Sequence, residues 1–210
     1  MLIQVMAADK SNFGKERNRK KIKYIVLHYT GNDGDRAEEN GEYFKKPNRK
    51  ASAHYFCDER NIVQTVQDNF TAWHCGAKEY KHKQCRNENS IGIEMCSRKK
   101  SGRYYIEEKT TDNALWLVRV LMKKYNIPVS HVLRHYDVTG KECPKPWVRE
   151  EKIWKEFKER AEEMRYNKVE EMPEWARETI RKLIEEKKIA NKEKLDLSED
   201  MLRVLVIMNR

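Results

Sequence analysis

Apolar residues recur along this chain with two periods, and the places where one gives way to the other mark out its elements. Ile22–Tyr29 is a continuous β-branched and aromatic run, the pattern of a buried strand. A loop with glycines at Gly31 and Gly34 follows, and Asp35–Lys45 is predicted as a helix stopped by Pro47. Ser52–Asp58 and Ile62–Val66 read as a hairpin joined through Glu59, Arg60 and Asn61. Ser90–Cys96 is a second buried run that carries a carboxylate, Glu94, amid Ile91, Ile93 and Met95. Thr111 is predicted to cap a helix with Ala114, Leu117, Val118, Leu121, Met122 and Tyr125 on one face, closed by Pro128. Val129–Leu133 is expected as a short strand. Arg149–Met164 is expected as a charged amphipathic helix with Ile153, Trp154 and Phe157 inward.

Strands alternating with helices predict an α/β domain, a mixed central β-sheet flanked by helices. After Tyr166 the pattern changes. Pro173 starts a helix with Ala176, Ile180, Leu183 and Ile184 on its apolar face, and Asn191–Leu197 is expected as a loop. Ser198 is predicted to cap a last helix through Leu202, Leu205 and Val206, with Glu199 and Asp200 favouring its N-terminus. The expected division is a domain over residues 1–166 and a small C-terminal helical unit over 167–210. Two short helices bury little apolar surface by themselves, so docking or self-association into a homo-oligomer is expected of that unit.

Composition narrows the partners. The 210 residues carry a formal net charge of +10, all of it before residue 167, because the remaining stretch holds 10 basic and 10 acidic residues. A basic domain seeks polyanions such as nucleic acid, an anionic membrane or an acidic wall polymer. No finger or RNA-binding spacing is present, and no apolar run approaches a membrane span. The five cysteines, an odd number scattered through the chain, suggest a reducing compartment rather than a disulfide framework. Whether Cys75 and Cys85 pair is left open. Met1–Met6 is too short for a signal h-region, so a chain made in the cytoplasm without a signal peptide is expected.

The candidate chemistry gathers at strand ends. His28 closes the first buried run, and an open α/β sheet binds its ligands there. His135 and Cys143 follow the Val132–Leu133 run within nine residues of each other, with Lys141 between them and Pro144 stiffening the turn. A lone histidine at a strand end is more often a hydrogen-bonded rim residue; three such donors point to metal. Two imidazoles and a thiolate with a vacant fourth position are the ligand set of a catalytic zinc. Glu94 needs either a cationic partner or a role beside that metal, because an unpaired inward carboxylate is costly. Trp73 and His74 have the look of a ligand-facing loop, while His54 reads as structural.

Five segments in order carry a resemblance: Tyr24–Gly31, Ser52–Phe56, Ala72–Gly76, Asn89–Glu94 and His135–Pro144. Together they resemble the zinc-dependent type 2 N-acetylmuramoyl-L-alanine amidases, a family that includes amidase-type phage lysozymes and peptidoglycan-recognition proteins. The resemblance implies a mixed sheet with flanking helices, and zinc on His28, His135 and Cys143. It implies Glu94 as catalytic general base and Lys141 as stabiliser of the oxyanion; Trp73 and His74 are the candidate substrate contacts. A tyrosine that another branch uses near the position of Ala53 is absent. The tail is similar to helical tails of phage and prophage lysins of Gram-positive hosts, which implies an endolysin reaching the wall after release. The expected partners are peptidoglycan and anionic wall polymers, with no nucleic acid. Two rival classes remain at this stage: a non-catalytic peptidoglycan-binding module on the same fold, and a basic nucleic-acid-binding protein with a structural zinc, which needs a fourth protein ligand.

Overall fold

The two longest apolar runs lie side by side as inner strands of the sheet. The computed structural model describes residues 2–163, 165–166, 168–189 and 195–209. Among these, six strands form one sheet: β1 (Ile3–Val5), β2 (Tyr24–Tyr29), β3 (Tyr55–Cys57), β4 (Ile62–Gln64), β5 (Ser90–Met95) and β6 (Val132–Arg134). Their spatial order is β1-β4-β3-β5-β2-β6. Only β3 and β4 are antiparallel, so the sheet is mixed, as the sequence predicts. β2 and β5 run parallel from Tyr24↔Ser90 to Tyr29↔Met95 and are buried along nearly their whole length. Burial on both faces is what continuous apolar runs in parallel strands require.

Helix α1 (Ala37–Lys45) starts two residues later than the pattern predicts. The buried carboxylate of Asp58 accepts from the Ala37 N–H at 2.9 Å, supplying an acceptor at the helix N-terminus from outside the helix. Helix α2 (Glu108–Tyr125) buries Ala114, Leu115, Leu117, Val118 and Leu121. Thr111 is not its cap: Glu107 holds that position and the Thr111 N–H already donates to the Glu107 carbonyl at 2.9 Å. The polar residues before Thr111 have adequate helix propensity and continue the helix backward by nearly a turn. Asn126, at φ 51°, ends it in the left-handed conformation.

The region expected as a strand over Val129–Leu133 is half turn: Val129–His131 is a 3₁₀ turn after Pro128, and only Val132–Arg134 joins the sheet. A short helix α3 (His135–Thr139) follows directly. The amphipathic segment is split into α4 (Lys145–Arg149) and α5 (Glu151–Glu162); Met164 lies outside the described residues. Trp154 and Phe157 are buried with Trp147, whose ring lies 5.9 and 4.7 Å from theirs. Three features without a sequence prediction are β1 and two ribbons, Phe13–Glu16 with Phe70–Ala72 and Arg98–Lys100 with Arg103–Tyr105.

By contacts the chain divides into two units, Met1–Lys158 and Glu159–Arg210. The second contains α6 (Glu174–Glu185), α7 (Glu199–Met208) and an antiparallel ribbon of Arg165–Tyr166 with Leu197–Ser198. Its apolar cluster includes Tyr166, Met172, Ile180, Leu183, Leu197 and Leu202, so ribbon and helices share a core that two helices alone would not make. Ser198 caps α7, accepting from the Met201 N–H at 3.1 Å. Of the loop expected over Asn191–Leu197, residues 191–194 lie outside the described residues and Leu197 is a strand residue. No helix among the described residues is long and apolar enough to cross a membrane.

Candidate active site

Register decides which side chains meet. Paired residues of a parallel ladder share a face, and successive residues alternate. His28 pairs with Glu94, Val26 with Gly92 and Tyr24 with Ser90, so one face of β5 presents Ser90, Gly92 and Glu94 beside His28. Ile91, Ile93 and Met95 turn to the other face, and all three are fully buried. On the opposite side of β2, Arg134 pairs with Leu27, and the next residue, His135, falls beside His28. Their ring centroids are 4.6 Å apart.

The turn after β6 completes the cluster. The Arg134 guanidinium bonds Asp137 at 2.9 Å, Glu151 at 2.7 Å and the Trp147 carbonyl at 2.9 Å, while the Arg134 N–H donates to Asp137. This clamp fixes α3 against α4 and α5. Gly140 then takes φ +84°, a left-handed exit that glycine adopts without strain. The chain doubles back so that the Tyr136 N–H donates to the Cys143 carbonyl at 2.9 Å. Cys143 Sγ thereby reaches 3.8 Å from His28 Nδ1.

One donor atom each from His28, His135 and Cys143 lies within 4.8 Å of the others, and all three residues are buried. His135 Nδ1 is buried without a hydrogen-bond partner among the described residues, as is Glu94 Oε2. Glu94 Oε1 stands 4.0 Å from His28 Nδ1, with 22% of the Glu94 side chain still exposed. Buried polar atoms without partners are rare and costly. Here both belong to residues lining one cleft, and a borderline-soft cation such as zinc fits the donor set of His28, His135 and Cys143. Burial, reinforced by neighbouring cationic groups, pushes His28 well below the usual imidazole range, and burial with Lys141 brings His135 to about 4. Both imidazoles are therefore in the form a metal needs. Burial, then the charge of Glu94, raises the Cys143 thiol to about 12, so a thiolate there calls for a cation beside it. Burial raises Glu94 to about 8, with Lys141 pulling the other way.

These residues line an open cleft of about 610 Å³ that also includes Trp73, His74 and Lys141. Past Trp73 and His74 it continues into a second hollow of about 530 Å³ that shares His135 and Lys141. His28, Trp73, His74, Glu94, His135, Lys141 and Cys143, the site residues expected from the sequence, thus border one cleft. Trp73 is 37% exposed and Lys141 is exposed. Both ring nitrogens of His74 are engaged inward, Nδ1 at 3.0 Å from His28 Nε2 and Nε2 at 3.2 Å from Ser90 Oγ. His54 is structural: its Nδ1 accepts from the Gly92 N–H at 3.0 Å. Its Nε2 meets Arg17 at 2.8 Å and the Phe70 carbonyl at 3.1 Å. Arg17 had no sequence signal, lying in a polar stretch, yet it is buried and holds the carbonyls of Asp68, Asn87 and Ser90 at 2.8–3.0 Å. All five cysteines are buried and free, Cys75 and Cys85 in the same apolar cluster.

A family model described as N-acetylmuramoyl-L-alanine amidase matches residues 18–146. The chain is 35% identical over 157 residues to N-acetylmuramoyl-L-alanine amidase CwlL of Bacillus licheniformis, covering 70% of this chain and 43% of that protein. It therefore spans less than half the length of that curated relative. Among solved structures, the catalytic domain of XlyA superimposes with a TM-score of 0.64 at 30% identity, over 77% of this chain and 99% of that one. PlyL does so with a TM-score of 0.65 at 30% identity, over 77% and 97%.

Proposed function

Because the chain belongs to the N-acetylmuramoyl-L-alanine amidase family, we propose that it hydrolyses the amide between the lactyl group of N-acetylmuramic acid and the L-alanine of the stem peptide. One observation carries this reading. The His28↔Glu94 register sets an unpartnered carboxylate oxygen beside a three-donor cluster in an open cleft.

In this reading His28, His135 and Cys143 hold zinc, which supplies Lewis acidity toward a water and toward the scissile carbonyl. Glu94 takes the water's proton on Oε2 and returns it to the leaving amine. Its carboxylate, 4.0 Å from His28 Nδ1 and bordering the open cleft, is the group placed for both transfers. The Lys141 ammonium, at the rim shared by both hollows, faces the developing oxyanion. Trp73 offers an exposed aromatic face to sugar or peptide, and His74 meets substrate only through its ring edge. The donor group has three members among the described residues, which favours an open catalytic site over a closed structural one.

The positive charge of the first 166 residues suits an anionic wall, where attraction raises local concentration and weakens with salt. The second unit serves wall targeting or self-association. Trp175, Val204 and Ile207, 46%, 54% and 68% exposed, are its candidate contacts. The enzyme meets its substrate as an endolysin does, after release to the wall.

Purified peptidoglycan digested with and without a chelator tests the reading. New N-terminal L-alanine amines without new reducing sugar ends, abolished by chelation, are expected. Binding without cleavage would replace hydrolysis with the non-catalytic module.

A further inference from the structure

The hydrogen bonds behind His28 have only one consistent direction. The Arg86 carbonyl can only accept, and Ser90 Oγ lies 2.6 Å from it, so the single hydroxyl hydrogen of Ser90 is committed there. Cys75 Sγ, 3.9 Å from the same hydroxyl, is a weak competitor, and it has its own acceptor in Asn87 Oδ1 at 3.3 Å. Ser90 Oγ must then accept from His74 Nε2, 3.2 Å away. With its hydrogen on Nε2, His74 presents a bare Nδ1 to His28 Nε2 at 3.0 Å, which must donate. His28 is left with a bare Nδ1. That is the atom 3.8 Å from Cys143 Sγ and 4.0 Å from Glu94 Oε1.

The backbone is shaped to hold this chain of bonds. An ideal Cβ on Gly92 would lie 2.4 Å from His74 Cγ, so the imidazole occupies the space of a missing side chain. Asn87 Oδ1 accepts from the His74 and Cys75 N–H groups at 3.1 and 2.9 Å and fixes the loop. The two rings stand perpendicular, at 90° and 5.1 Å between centroids, with the edge of one nitrogen aimed at the other.

We infer that His74 is a positioning residue, the middle of a one-way chain from Arg86 through Ser90 that fixes the tautomer of His28 and aims its Nδ1 into the metal cluster. The inference rests on the reading of His28 as a metal ligand. Outer partners of ligating histidines commonly set ring orientation and ligand basicity in this way.

The test uses the full chain, zinc alone as ligand, and two readouts independent of activity. Imidazole nitrogen NMR of the metal-free wild type should show His28 and His74 both with hydrogen on Nε2. Zinc affinity, measured by competition with a chelator, should fall about tenfold to a hundredfold in His74→Ala. His74→Asn, whose Oδ1 falls where Nδ1 stood, should recover most of that loss. His74→Gln, which reaches toward Ser90 instead, should not, and this contrast separates positioning from mere packing. A His28 bearing its hydrogen on Nδ1 in the wild type overturns the inference, as does unchanged zinc affinity in His74→Ala. If the alanine variant fails to fold, the Asn–Gln contrast and the wild-type spectrum decide. A wild type that takes up no zinc defeats the proposed function instead, and the tautomer measurement still decides the relay.

Discussion

Two inward carboxylates of the first unit, Asp68 and Glu94, stand in opposite states. Asp68 is 3% exposed and its oxygens accept from Tyr55 at 2.7 Å, Gln64 at 3.3 Å, Lys124 at 2.8 Å and Tyr125 at 2.5 Å. Burial pushes its pKa up, but the bonds from Lys124, Tyr125 and Tyr55 outweigh it, and the carboxyl ends below its usual range. Glu94 has no such set; Oε2 is without a partner among the described residues, and burial carries it to about 8. The same chemical group is saturated in one place and left wanting in the other. Saturation serves folding, because every lone pair is satisfied. Want serves chemistry, because an unsatisfied group in a cleft is the one able to act.

The sharpest way to test that contrast is to remove the metal donors. His135→Ala and Cys143→Ser should lose nearly all bound zinc and with it activity, read by elemental analysis; stoichiometric zinc in both would end the ligand assignment. Next, Glu94→Gln should keep zinc and fold while activity drops about a hundredfold to ten-thousandfold. Lys141→Ala should lose a comparable amount, roughly 3 kcal/mol of barrier, through the oxyanion. Near wild-type lysis by either variant refutes the role given to that residue.

Asp68→Asn should behave in the reverse manner, costing about 2 kcal/mol of stability by leaving donors unmatched, with activity per folded molecule little changed. The pH dependence has a definite sign. A carboxyl with a lowered folded pKa adds stability above the ordinary aspartate pKa, about 3.9, and loses it as pH falls through the folded value. Denaturant melts across acid pH should therefore show a shallower fall for the variant than for the wild type. The smallest effect is expected from ending the chain after Glu162, which keeps α5 whole. Cleavage of a soluble muramyl-peptide and zinc content should persist, while wall binding or oligomeric state changes. A truncated chain that melts many degrees lower would make the second unit part of the first unit's folding.

What the sequence revealed follows from how each feature is encoded. The strand-end histidine, the carboxylate among isoleucines and the Lys-x-Cys-Pro turn are local patterns, and each lies in the cleft. Arg17 is the contrary case: its partners are 37 to 73 residues away, and nothing in its polar neighbourhood marks it. The helix α3 is too short to show a period and depends on the Arg134 clamp, so no apolar pattern announces it. Thr111 misled because a good capping side chain says nothing about whether the residues before it are already helical. The composition of the tail changes at Tyr166, whereas contacts divide the chain after Lys158, since charge and packing report different things.

The position of β6 has a further consequence. It is the last strand of the sheet, and it delivers His135. An uncovered sheet edge invites another molecule's strand, and pairing there would drag on the residue that follows. The Lys158 ammonium donates to the carbonyls of Val132 and Val129 on that margin. A charge seated along the edge makes it a poor template for intermolecular β-pairing, and the strand it blunts is the one that leads into His135.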